Sequence, residues 1–189
     1  AIAEEKPAVE FLDHAQILST SDEEAIKSQA QSMHLPDSVH EVLYATYPNS
    51  GEEFSRTLFH DLEREHPQFI SGSGLQKNVL VIAVGFEPNS MAVHCGTEVC
   101  QDIKIYDEGR VDGILDQMRS ALADDDYTIG MILATRAAAD TTVRRQYTQD
   151  MPTWSVFIAA TMVLVVLGAV GLITYLFIPV SYTHLTLPT

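Results

Sequence analysis

Residues 79–86 read Val-Leu-Val-Ile-Ala-Val-Gly-Phe, eight positions without a polar side chain. A continuous apolar run of that length is typical of a parallel strand buried on both faces, where inward/outward alternation disappears. Lys77-Asn78 and the glycine-serine stretch Ser71-Gly72-Ser73-Gly74 lie upstream of it. Downstream, Glu87-Pro88-Asn89-Ser90 reads as a turn that folds Met91–Cys95 back as a hairpin strand.

Working outward, helices and strands alternate. Ser21-Asp22-Glu23-Glu24 is a capping box ahead of Ala25, Ile26, Ala30 and Met33, which share a helical face. Leu35-Pro36-Asp37 stops that helix, and Val39–Tyr47 is a strand by its β-branched and aromatic content. Pro48–Gly51 turns the chain, Ser50 and Glu53 form a second box, and Phe54, Leu58 and Leu62 line one face of a helix that ends at Pro67. Beyond the central strand, Gly96–Val99 reads as a four-residue hairpin loop, and Val111, Ile114, Leu115, Met118 and Leu122 mark a strongly amphipathic helix. The loop Asp124–Asp126 leads into a last helix, Ala-rich, from Ile129 to about Tyr147. The order β/α/β/α/β-β/α/α predicts an α/β fold, a three-layer α/β/α sandwich with a central mixed sheet.

The 189 residues carry a formal charge of −15, and none of the charged side chains lies beyond Asp150. One domain of 9–147 is expected, after a polar N-terminal lead at 1–8 with a further polar stretch to residue 10. So acidic a domain is a poor partner for nucleic acid or anionic lipid. Its electrostatic uses are solubility, repulsion from a membrane surface, or cation binding. Ala1-Ile2-Ala3 has the A-x-A form that precedes a signal cleavage site.

From Trp154 to Ile178 there are twenty-five residues without a charge, fourteen of them Leu, Ile, Val or Phe. At the helical rise they reach about 37 Å, enough for a tilted transmembrane helix, and Trp154 and Tyr175 suit the two interfaces. Residues 154–178 are therefore expected to span the lipid bilayer. Arg144 and Arg145 precede the run, and taken alone they would put the domain in the cytoplasm. Ser181–Thr189 (SYTHLTLPT) fits nothing before it and reads as a non-native tail from adapter read-through.

Phe11-Leu12-Asp13-His14-Ala15-Gln16-Ile17-Leu18-Ser19 resembles the opening of TPM domains, "V-x-D-x-A-x-x-L-S". Lys77–Val84 is similar to that family's "N-x-G-V-L-L-x-V" core strand, and Met91–Gly96 looks like its "R-I-x-V-G-x-G" hairpin. The similarity covers about Val9–Ala139, and the single span after the domain fits as well. The family occurs in thylakoid-lumen photosystem-repair proteins and in bacterial membrane-anchored proteins, and this chain looks closest to the actinobacterial type. For relatives, metal binding or phosphatase activity has been proposed at the loops. Here Lys77-Asn78-Val79 departs from the family's Asn-Asp-Gly character, and the hairpin end carries cysteines.

Ligands of open α/β sheets lie beyond the carboxyl ends of the strands. Asp13, Glu87, Asp124, Asp125 and Asp126 are the candidate metal ligands there, with Ca²⁺ the ion they would suit. The alternative is ordinary solvated turns, since the acidic run lacks EF-hand spacing. No cofactor is required, and no motif marks a catalytic residue. Cys95 and Cys100 are the only cysteines. In an oxidising compartment they are expected to form a disulfide; a Cys/His metal site with His94 and two free thiols are the alternatives. His60, Asp61, Glu63 and His66 read as a solvated helix face. The expected function is that of a membrane-anchored extracytoplasmic module with a membrane-protein partner at the cell envelope. An envelope metal-dependent phosphatase or hydrolase and a tail-anchored cytoplasmic adaptor are the alternatives.

Overall fold

The computed structural model describes residues 6–49, 54–87 and 90–146, which belong to one compact unit ending at Gln146. The proposed span 154–178, the tail 181–189 and the capping box of Ser50 and Glu53 lie outside the described residues. Among the described residues, no helix is long and apolar enough to cross a membrane.

The elements in chain order are β1 (Ala8–Asp13), α1 (Thr20–Ser32), β2 (Glu41–Asn49), α2 (Phe54–Glu65), a 3-10 turn (Pro67–Phe69), β3 (Ile70–Ser71), β4 (Gly74–Leu75), β5 (Val79–Glu87), β6 (Ser90–Cys95), α3 (Thr97–Asp102), α4 (Arg110–Leu122) and α5 (Tyr127–Ala139). Among the described residues the fold is mixed α/β, with five α-helices and a central mixed sheet of four strands in the order β1-β2-β5-β6. The first three run parallel, and β6 returns antiparallel to β5. The apolar run at 79–86 is the interior strand β5. Leu80, Ile82 and Val84 feed one core with α1, α3, α4 and α5, while Val79, Val81 and Ala83 feed the other with α2. Period two is present, but both faces are apolar.

Within the larger core, the buried Tyr44 hydroxyl lies 2.6 Å from Thr135 Oγ1, which donates to Met131 O at 2.8 Å. This ties β2 to α5 with its polar atoms satisfied. Helices α1 and α2 lie on opposite faces, although the chain steps in one direction from β1 to β2 to β5. The two parallel crossovers therefore have opposite hands, and one departs from the right-handed rule.

Four sequence expectations need correction. Ala8–Glu10, expected in the polar lead, begins β1. The first helix is capped two residues early: Ser19 is the N-cap and Asp22 closes the box. Gly96–Val99 is not a hairpin loop, because Gly96 caps α3. The last helix stops at Ala139, eight residues short of Tyr147.

Arg110 explains that early stop. Its side chain is fully buried, and it donates to Ile103 O (2.8 Å), Ala138 O (2.9 Å) and Val143 O (2.8 Å). Residues 140–143 must leave the helical path to present the Val143 carbonyl. Burial, followed by the nearby Arg144 charge, lowers the Arg110 pKa from its ordinary value.

Candidate functional site at the ends of the parallel strands

Because the helices after β1 and β2 go to opposite faces, the chain parts between the carboxyl ends of these two strands. That is the switch point at which open α/β sheets bind ligands. Asp13 and Thr46, register partners at those ends, occupy it.

Asp13 is committed to the fold. Its carboxylate accepts from the Thr46 hydroxyl, from Ile17 N at 3.2 Å and from Leu18 N at 2.9 Å. Thr46 is fully buried; it also accepts from Ala15 N at Oγ1 (3.3 Å) and from His14 N at its carbonyl (3.1 Å). The loop 14–18, with Gln16 in the left-handed region, is thereby folded over the strand ends. It delivers Ser19 to the start of α1, where Asp22 is held below the usual carboxylate range by hydrogen bonds from Ser19 and from Thr128. The Asp22–Thr128 contact brings together the N-termini of α1 and α5.

The acidic run is used in the same structural way. Asp126 caps α5, accepting from Ile129 N at 2.9 Å. Asp125 takes φ +57, which the short polar side chain tolerates, and accepts from Tyr127 OH at 3.4 Å. Asp124 is exposed. The side chain of Glu87 lies outside what the structure describes. Among the described residues, no group of three His, Cys, Asp or Glu is placed to hold a metal ion. Of the expected cation ligands, Asp13 carries three hydrogen bonds of its own, from the Thr46 hydroxyl and from the amides of Ile17 and Leu18.

Two arrangements were invisible in sequence. On the α2 face of the switch point, the His14 ring lies 5.1 Å from Tyr47, and His14 Nε2 is 3.8 Å from Glu65. The Tyr47 hydroxyl is buried and makes no hydrogen bond of ordinary geometry, and burial, followed by the neighbouring Asp61 carboxylate, pushes its pKa up. On β6, His94 Nε2 lies 3.2 Å from Ser55 Oγ, with the Phe59 ring 5.2 Å away, edge-on. Burial lowers the His94 pKa from its ordinary value. These partners are 39 residues apart, and no local pattern signals such a pair.

Cys95, at the end of β6, and Cys100, in α3, are joined in a disulfide with a Cα–Cα distance of 5.3 Å. Their link is across a strand-to-helix turn.

No family model and no curated protein matches the chain. Two structures solved in solution by NMR are similar to it. One is the N-terminal domain of a protein from P. gingivalis, 15% identical with a TM-score of 0.49, covering 77% of this chain and 90% of that one. The other is the N-terminal domain of the cg2496 protein from Corynebacterium glutamicum, 14% identical with a TM-score of 0.44, covering 76% and 84%. By its own geometry the chain holds a mixed α/β domain whose switch-point carboxylate is engaged by the Thr46 hydroxyl and two backbone amides.

Proposed function

We propose that the chain is a TPM-like domain anchored in a membrane and exposed on its extracytoplasmic side, serving as an accessory or interaction module of the cell envelope. The observation that carries this reading is the Cys95–Cys100 disulfide, on a chain whose residues 154–178 hold no charge. Disulfides persist in oxidising compartments, and an uncharged run of that length suits a bilayer. The family part of the reading is supported by where the motifs fall. In Phe11–Ser19, Asp13 and Ser19 are the two side chains that fold the loop and cap the helix. Lys77–Val84 runs into β5, and Met91–Cys95 lies in β6. A role in holding a partner, rather than in turnover, agrees with the engagement of Asp13.

The test is made on cells producing the full chain. The protein should stay with membranes through a carbonate wash, and a membrane-impermeant maleimide should label Cys95 and Cys100 only after reduction. Free thiols shielded from that reagent would place the domain in the cytoplasm and sink the reading. The Ser55–His94 contact favours a second reading, an envelope hydrolase. Stoichiometric labelling of Ser55 by a fluorophosphonate would bring that reading forward.

A further inference from the structure

Three large apolar side chains are exposed among the described residues: Tyr106 (76%), Ile129 (44%) and Val111 (37%). Tyr106 and Val111 flank Gly109 where α3 connects to α4, and the described chain ends beside them. Arg145 N donates to Gly109 O at 2.8 Å, Arg144 pairs with Asp107, and Arg145 Nε lies 3.2 Å from Asp116. The fit is close. A Cβ on Gly109, where φ is +71, would stand 2.4 Å from Arg145 O, and one on Gly113 would stand 2.7 Å from the Arg144 Cα. With Arg110 holding Val143, residues 143–145 are fastened to the start of α4, and the chain leaves the domain at a fixed point next to Tyr106.

Seven residues, 147–153, separate Gln146 from Trp154. Fully extended, the connection reaches about 28 Å. This inference rests on the proposal that 154–178 enters a bilayer; given that anchor, the surface around Gly109 is the part of the domain tethered nearest to lipid. Its charge suits that position. Residues 102–119 and 140–146 carry five basic and six acidic side chains, so fourteen of the fifteen net negative charges lie elsewhere. The rest of the domain is repelled by anionic surfaces, and this region is almost neutral. An exposed Tyr with an apolar neighbour matches the headgroup layer, where an amphipathic ring is wet at one end and dry at the other. We infer that Tyr106, Val111 and the α3–α4 connection form the surface by which the domain rests on zwitterionic lipid headgroups.

The test uses the full chain in phosphatidylcholine vesicles. Trp154 is the only tryptophan, so Trp154→Phe gives a silent background into which Tyr106→Trp or Ile129→Trp is placed. Ile129 lies near the other end of α5, about 15 Å along the axis from Ala139. Brominated lipid should quench the tryptophan at 106 about two-fold or more over the one at 129. Equal quenching of the two, in protein that floats with the vesicles, overturns the lipid-facing surface and leaves the anchor standing. A tryptophan at 106 that is shielded from water yet unquenched shows a second protein copy there, and also overturns it. Protein that does not float with vesicles overturns the anchor and this surface together.

Discussion

Asp13 shows how a residue placed for chemistry can be spent on structure. Its carboxylate accepts from a hydroxyl and two amides, which fixes the loop after β1. Asp13→Ala should cost about 2–3 kcal/mol, because a buried threonine and two amides lose a charged acceptor. Urea denaturation measures this, and calcium should not restore the loss. Tyr47 is the opposite case. Its buried hydroxyl makes no hydrogen bond of ordinary geometry, so Tyr47→Phe should leave stability unchanged or raise it by up to about 1 kcal/mol in the same assay. His94 adds a pH dependence. Burial depresses its folded pKa below the ordinary 6.5, so the unfolded chain binds the proton first as pH falls. The stability it supports is complete above 6.5 and is lost as pH falls through the folded value. His94→Gln should flatten that part of the stability profile. Asp22, Glu65 and Asp140, whose pKa values are also lowered, act only in the carboxylate range below it.

At the scale of elements, the short helix α3 depends on its crosslink. Six residues form too few hydrogen-bonded turns to stand alone. The disulfide closes a ring of sequence separation five, which the loop-entropy relation values at about 2 kcal/mol. Cys95→Ser with Cys100→Ser should lower stability by about that much. In hydrogen exchange, protection should drop at Val99–Ile103 well before β5 is affected. The helix was illegible in sequence for the same reason: Thr97–Asp102 is too short to show a period. The start of the first helix is ambiguous in sequence, because Ser19/Asp22 and Ser21/Glu24 satisfy the same rule two residues apart. Asp13, by drawing Ile17 and Leu18 into its loop, selects the earlier one. The amphipathic helices α2 and α4 are legible from their apolar spacing, whereas the Ala-rich α5 carries no signal for its end at Ala139. Phe54, Leu58 and Leu62 line the buried face of α2, and Ile114, Met118 and Leu122 that of α4.

Across the whole domain, Arg110 joins α3, α4, α5 and the C-terminal strap through three carbonyls. Arg110→Met keeps much of the volume and leaves those carbonyls without their donor. It should cost about 3 kcal/mol and lower the thermal midpoint by many degrees, whereas Lys27→Gln on the exposed side of α1 should shift it little. The amino-acid sequence alone determined the interior strands β2 and β5, the return of β6, the larger helices and the mixed α/β class, because apolar spacing records which side chains leave water. Which helix covers which face, the opposite hands of the two crossovers and the commitment of Asp13 to Thr46 came only with the tertiary structure. So did the burial of Arg110. Each depends on partners distant in the chain, whose meeting is fixed by packing the whole core and leaves no local periodicity to read.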